Sequence, residues 1–330
     1  MHKDEALDVT AFETVTGAMP REASDRRSIP PDARFDEWKA ADGWTVRTLE
    51  RRQKEGIEAR GSLLFAGGRG DFIEKYLEVQ DHWHRRGWNV TAFDWRGQGA
   101  SQGDRPGGYL DRFETLVADL AGLIDGWRRE SPGPHVVVAH SMGGHVLLRT
   151  LADRHPPIDA AVLIAPMLMI NSGPMPAFAA QWLASTASMF GWSGQPAWRQ
   201  PPLPQAAGSM RQALLTSCPD RYDDEIWWWR RHPRFDLGAP SWGWLKAAFQ
   251  SCATLSPAKL AAVDTPVLLI GTERDRLVTP AAIRRAAAQL PCAELVMYDD
   301  SAHEILRERD EIRLRALATI DAFLDRHAGR

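Results

Sequence analysis

The chain has 330 residues, 44% of them apolar and 25% charged, a balance that excludes bulk disorder and a disulfide-stapled miniprotein. Forty Lys and Arg against 43 Asp and Glu leave a formal net charge of −3, without the basic excess of a general nucleic-acid binder. The 14 Trp against 4 Tyr form the one unusual ratio.

Residues 1–35 are polar, of mixed charge, and carry Pro20, Pro30 and Pro31 with little periodicity. They read as a loosely ordered arm with no apolar leader run, and a cytoplasmic location is expected. From there, apolar runs alternate with helical patterns. Ser62–Phe65 reads as a strand ending in Ala66-Gly67-Gly68, and Phe72–Arg86 as a helix closed by Gly87. Trp88–Trp95 is a second strand, Arg112–Arg129 an amphipathic helix, His135–Ala139 a continuous apolar strand, Met142–Arg154 a helix and Ala160–Pro166 a strand. The longest clean apolar run, Ala160–Ile170, is far short of the roughly 20 residues a bilayer span takes.

The rhythm breaks from Met167 to about Leu260, where Pro and Gly clusters and aromatic runs replace strands. It resumes with a strand at Pro266–Ile270, a helix capped by Thr279 with Pro280 at its first position, a strand at Ala293–Tyr298 and a helix over Glu308–His327. This alternation predicts an α/β fold, a mostly parallel sheet with helices on both faces. Its core is 36–166 and 261–330, interrupted by an inserted cap over 167–260. The three cysteines, Cys218, Cys252 and Cys292, are odd in number and widely spaced, so neither a disulfide framework nor a zinc site is expected. No metal or cofactor is implied.

The strongest local signal is Val136-Val137-Val138-Ala139-His140-Ser141-Met142-Gly143-Gly144. A buried strand runs into a helix through a sharp turn with Ser141 at its apex, and small residues two places either side, Ala139 and Gly143, keep neighbouring backbone from colliding. A Ser hydroxyl is a weak nucleophile and needs a base, which needs an orienting carboxylate. His303 follows the last strand and precedes the last helix, where a catalytic loop belongs. Asp275 lies on the loop after strand Pro266–Ile270 and is favoured over its neighbour Glu273, while Asp299 and Asp300 read as turn residues. An oxyanion site needs two backbone N–H groups. One is expected at Met142, the other from the loop Ala66-Gly67-Gly68-Arg69-Gly70-Asp71.

Together these residues resemble the α/β-hydrolase superfamily and, within it, the monoacylglycerol lipase and bacterial lysophospholipase group. Asp94-Trp95-Arg96-Gly97-Gln98-Gly99-Ala100-Ser101 is similar to that group's D-x-R-G-x-G-x-S segment, His140-Ser141-Met142-Gly143-Gly144 to its elbow, and His303-Glu304-Ile305-Leu306 to the H-E-I-L run of the bacterial lysophospholipases. The elbow departs at Ala139, where Gly is usual. The resemblance puts the second oxyanion amide on Arg69 and a cap over Ser141.

The resemblance implies a serine carboxylester hydrolase acting on a mono-acyl lipid, a lysophospholipid or a monoacylglycerol, without nucleic-acid partners. Eight Trp fall in the inserted region, including Trp227, Trp228 and Trp244. With Gly68 and His140 these three are the candidate substrate contacts. A cap that packs its own small core is the alternative reading of most of these rings. The Trp-rich cap also leaves peripheral contact with the inner membrane face open. A peptidase, a lactonase, a carbon–carbon bond hydrolase or a non-catalytic binding protein on the same scaffold are the competing readings.

Overall fold

A computed structural model describes residues 25–103, 108–199 and 207–329. Most of the N-terminal arm, residues 1–24, therefore lies outside the described residues. The elements in chain order are β1 (Arg34–Lys39), β2 (Thr45–Arg51), β3 (Gly61–Ala66), α1 (Leu77–Arg85), β4 (Trp88–Phe93), α2 (Glu114–Glu130), β5 (His135–His140), α3 (Met142–Arg154) and β6 (Ala160–Ile164). After β6 come only helices: α4 (Ala177–Ala187), α5 (Met210–Leu215), α6 (Pro219–Arg231), α7 (Trp242–Ala253) and α8 (Pro257–Ala261). The sheet then resumes with β7 (Val267–Thr272), α9 (Pro280–Ala287), β8 (Ala293–Tyr298) and α10 (Asp310–His327).

The eight strands form one sheet in the order β1-β2-β4-β3-β5-β6-β7-β8. β3 to β8 are mutually parallel, and the β1–β2 hairpin adds antiparallel to β4. The period-2 geometry of a strand sends alternate side chains to opposite faces. In β5, Val137 and Ala139 join the core under α2 and α3, whereas Val136 and Val138 join the core under α1 and α10. Two buried faces explain why β5, β6 and β7 read as unbroken apolar runs.

Sequence periodicity missed β1 and β2, because their residues are largely polar: β1 is mostly exposed and β2 only half-buried. β1 begins at Arg34, so the arm ends earlier than its composition implied. Residues just before it are held as well: Arg26 and Arg27 both pair with Asp224 on α6.

Strand order reverses direction between β3 and β5. A crevice opens at the carboxyl ends of strands at such a switch point. The loops after β3 and β5 carry Gly67–Asp71 and Ser141.

Candidate active site

Ser141 stands between β5 and α3 with φ 52° and ψ −114°, a conformation non-glycine residues rarely adopt and one that costs on the order of 1–3 kcal/mol. Its own peptide groups hold it there. Its N–H donates to the Ile164 carbonyl at 2.9 Å, and its carbonyl accepts from Met167 N–H at 2.9 Å and His145 N–H at 3.1 Å. A Cβ at Gly143 would lie 2.4 Å from the Gly67 carbonyl oxygen and 2.7 Å from that of Ala66, so the turn passes too close to the end of β3 for any side chain. The methyl of Ala139 packs instead into the core beside α3, which is why Ala stands there without collision.

The structure brings His303 and Asp275 to this serine. His303 Nε2 lies 2.8 Å from Ser141 Oγ, and Nδ1 lies 2.7 Å from Asp275 Oδ2. The other Asp275 oxygen accepts Leu277 N–H at 2.8 Å and Val278 N–H at 3.0 Å, which holds the carboxylate in place. Burial alone would raise the Asp275 pKa, but His303 and the two amides outweigh it and lower it. Burial likewise disfavours the His303 imidazolium, yet the adjacent Asp275 charge wins and raises its pKa above 6.5. The alternatives are engaged elsewhere: Glu273 pairs with Arg284, and Asp300 with Arg315 at 2.8 Å.

A base must be neutral to accept a proton, so kcat/KM on esters is expected to rise with pH through an apparent pKa above 6.5. Asp275→Asn removes the charge that raises this value and is expected to move the limb to lower pH. A pH–rate profile of both proteins checks the direction.

The loop after β3 is braced from two sides. Trp95 Nε1–H donates to the Gly67 carbonyl at 2.7 Å, and Gly70 N–H donates to Gln98 Oε1 at 2.6 Å. The Asp94–Ser101 segment thus works as a clamp on the loop facing Ser141. Asp94 ties that segment together, accepting Ile73 N–H at 2.9 Å and Ala100 N–H at 2.8 Å, and burial pushes its carboxyl up to about 6. Gly68 lies against Ser141: a Cβ there would meet Ser141 Cβ at 3.0 Å. Its N–H is taken by Asp71 Oδ2 at 2.5 Å. Arg69 and Met142 both line the cavity with Ser141, and Met142 opens α3, where first-turn N–H groups lack intrahelical partners. The Arg69 guanidinium turns to the Gly238 carbonyl at 3.1 Å and the face of Trp244. Burial pushes it down to about 9, with Asp236 opposing.

Behind this loop lies a buried ionic cluster that sequence reading missed. Lys75 Nζ meets Asp71 at 2.7 Å, Glu304 at 2.6 Å and Glu225 at 3.4 Å. Arg307 joins Glu304 at 2.5 Å to Glu225 at 3.3 Å, and Arg211 closes on Glu225 at 2.8 Å. Three cations face three carboxylates. Asp71 also approaches His140 Nδ1 at 3.0 Å and accepts the Tyr76 hydroxyl at 3.2 Å. His140 lines the cavity beside Ser141, with Nδ1 engaged by Asp71 and Nε2 lying 3.4 Å from the His303 carbonyl. The available signal was Lys75 set among the apolar Phe72, Ile73, Tyr76 and Leu77.

A cavity of about 200 Å³ opens onto Ser141 and His303. Its apolar lining includes Met167, Ile170, Leu215, Trp244, Leu245 and Val278. Trp244 stands where the sequence placed it. Trp227 and Trp228 do not: half-buried Trp227 lies between the guanidinium groups of Arg27 and Arg231, and buried Trp228 donates its indole N–H to the Arg26 carbonyl at 3.1 Å. The α6 helix turns these two rings toward the segment preceding β1, a packing role that composition could not separate from ligand contact. Trp198, not singled out as a contact, lines the cavity.

A model of the family described as "Serine aminopeptidase, S33" matches residues 57–310. Lysophospholipase L2 of Escherichia coli K12 is 31% identical over 288 residues, covering 80% of each chain. A monoacylglycerol lipase of Mycolicibacterium smegmatis is 24% identical, over 77% of this chain and 85% of that one. In three dimensions the chain is similar to a soluble variant of monoglyceride lipase from Saccharomyces cerevisiae, with a TM-score of 0.70 and 18% identity over 93% of this chain and all of that one. The chain belongs to the serine aminopeptidase S33 family of α/β-hydrolase-fold enzymes, and it is a carboxylic ester hydrolase.

Proposed function

We propose that the chain hydrolyses the ester bond of a mono-acyl lipid, a lysophospholipid or a monoacylglycerol, through an acyl-enzyme on Ser141. The observation that carries this reading is the continuous Ser141–His303–Asp275 hydrogen-bonded series at the apolar cavity. Ser141 Oγ attacks the ester carbonyl carbon while His303 Nε2 takes its proton. Asp275 holds Nδ1–H and stabilises the imidazolium. The amides of Met142 and Arg69 receive the oxyanion. Collapse breaks the bond to the leaving alcohol, which takes the proton from His303. Water, deprotonated by the same imidazole, then attacks the acyl carbon, releases the fatty acid and restores the Ser141 hydroxyl.

The cavity of about 200 Å³ is smaller than the roughly 300–1,000 Å³ of pockets that enclose a whole ligand. It suits one slender acyl chain, with the headgroup outside, under a cap formed by the helices between β6 and β7. The names of the Escherichia coli and Mycolicibacterium smegmatis relatives point to the same substrates. Peptide hydrolysis by an aminopeptidase is less well served. Holding a cationic amine takes a carboxylate, and among the described residues the two at the cavity wall, Asp71 and Glu304, are both bound to Lys75.

One purified sample tested on lysophosphatidylcholine, monooleoylglycerol, a diacyl phospholipid and aminoacyl p-nitroanilides checks the assignment. The two mono-acyl lipids are expected to exceed the others in kcat/KM by at least ~10-fold. A preference for the anilides sinks the reading.

A further inference from the structure

The loops after β7 and β8, which carry Asp275 and His303, also border a second concavity. It is a groove of about 480 Å³, and it shares no lining residue with the cavity at Ser141. Arg274 and Arg276, on either side of Asp275, line it, as do Ser301 and Ala302 just before His303. Arg309, ahead of α10, and residues of α5 and its flanks complete it. The end of α5 divides the two spaces: Leu215 lines the cavity at Ser141, and Thr216 lines the groove. That end is tied to the catalytic loop, since Glu304 N–H donates to the Leu215 carbonyl at 2.7 Å.

The chain carries a formal net charge of −3, yet this groove is basic. Among the described residues no carboxylate pairs with Arg274, Arg276 or Arg309, and the acids nearby are engaged elsewhere. Glu273 closes on Arg284, and Asp300, at the groove itself, meets Arg315 with both oxygens at 2.8 Å. Buried Glu308 accepts Ala302 N–H at 2.7 Å and Ser217 N–H at 2.9 Å. Arg309 donates its Nε–H to the Ser217 carbonyl at 3.2 Å, which anchors it at the rim. Like charges gathered around one concavity repel one another and draw anions to it. A guanidinium binds phosphate through two parallel hydrogen bonds, a geometry that lysine does not offer.

We infer that this groove binds a small, multiply phosphorylated solute held across Arg274, Arg276 and Arg309. Three cations exceed what one monoanion neutralises, which calls for two phosphate groups or a pyrophosphate. The volume falls within the roughly 300–1,000 Å³ of pockets that enclose a small ligand. The lining offers hydroxyl and amide groups, no aromatic ring and no apolar side chain larger than Ala, so neither a nucleotide base nor an acyl chain finds a surface to pack on. A phosphorylated polyol or an inorganic polyphosphate suits it. An occupied groove joins the Asp275 loop to the His303 loop from behind. The binding does not rest on the substrate reading above.

Inorganic pyrophosphate, titrated calorimetrically into the full chain without divalent cations, is the probe. The wild type is expected to bind one equivalent with a Kd of about 10–100 μM. Because the three arginines are exposed, raising salt to about 0.5 M is expected to weaken binding at least ~10-fold. Sulfate, a single tetrahedral anion, is expected to bind at least ~10-fold more weakly than pyrophosphate. Arg276→Gln and Arg309→Gln are each expected to weaken pyrophosphate at least ~5-fold, and the triple Arg274→Gln, Arg276→Gln, Arg309→Gln to abolish binding at about 1 mM. Arg129→Gln removes the same charge from the exposed side of α2 and is expected to leave the Kd within about twofold. The proposal is overturned if the wild type does not bind at about 1 mM, or if the triple variant binds equally. It is also overturned if Arg129→Gln weakens binding as much as Arg276→Gln, since overall charge would then be the cause. Phosphatidylglycerol vesicles form the last arm: capture through the same arginines that pyrophosphate cannot displace would make the ligand a lipid headgroup and overturn the assignment to a solute.

Discussion

Ser141→Ala is expected to lower kcat/KM on acyl esters by at least ~10⁴-fold, about 5.5 kcal/mol of transition-state stabilisation, with the melting temperature barely changed. The size follows from the site having one oxygen at the reacting position. His303 Nε2 points at Ser141 Oγ at 2.8 Å, and the other bond of that ring goes to Asp275. On the proposed mechanism, deleting the hydroxyl leaves His303 with nothing to activate except water. The fold is untouched because the backbone at Ser141 is held by its own N–H and carbonyl. A fluorophosphonate probe gives a second readout: the wild type is expected to form one covalent adduct, and Ser141→Ala none. Retention of the adduct in the variant would place the nucleophile elsewhere.

The second large effect lies behind the site. Lys75→Met is expected to destabilise the fold by about 3–5 kcal/mol, measured by urea unfolding at neutral pH. Lys75 is buried and touches Asp71, Glu304 and Glu225 at once, so its removal leaves buried carboxylates facing one another. Arg307 and Arg211 compensate Glu225 and Glu304 but do not reach Asp71 among the bonds described. Burial acts to raise the carboxyls of Asp71, Glu225 and Glu304, and the neighbouring cations reverse it. Losing Lys75 is therefore expected also to make unfolding proceed more readily as pH rises from 5 toward 8, since protonated carboxyls tolerate the vacancy and ionised ones do not. A change below about 1 kcal/mol would mean that the cluster is solvated or redundant.

The parallel strands and the elbow were legible because each is a local pattern. Continuous apolar runs at β5, β6 and β7 report burial on both faces, and Ser141 is marked by its own neighbours. His303 and Asp275 followed from their positions after β8 and β7, since chain order fixes which loops meet at the carboxyl edge of the sheet. What was not legible came from contacts distant in sequence. The ionic cluster joins Asp71, Arg211, Glu225 and Arg307 from four separate segments, and none of them stands out alone. Trp227 and Trp228 misled for the same reason: one turn of α6 decides whether an indole faces Ser141 or the segment before β1, and composition does not record that rotation. β1 and β2 were missed because an edge hairpin with polar side chains lacks the apolar alternation by which strands are recognised.

The helices between β6 and β7 leave the sheet from one strand and return to its immediate neighbour, and Ser141, Asp275 and His303 all lie outside them. Such an architecture invites chimeras in which one cap is exchanged for another to alter substrate choice. The cluster around Lys75 sets the terms of that exchange, because Glu225 on α6 and Arg211 on α5 lie between β6 and β7, while Lys75, Glu304 and Arg307 lie outside that stretch. A donor cap lacking an acidic group at the Glu225 position would seat two core cations against a neutral surface. Compatibility between cap and core is keyed by buried charge, and a graft that respects only shape would fit the outline and miss the lock.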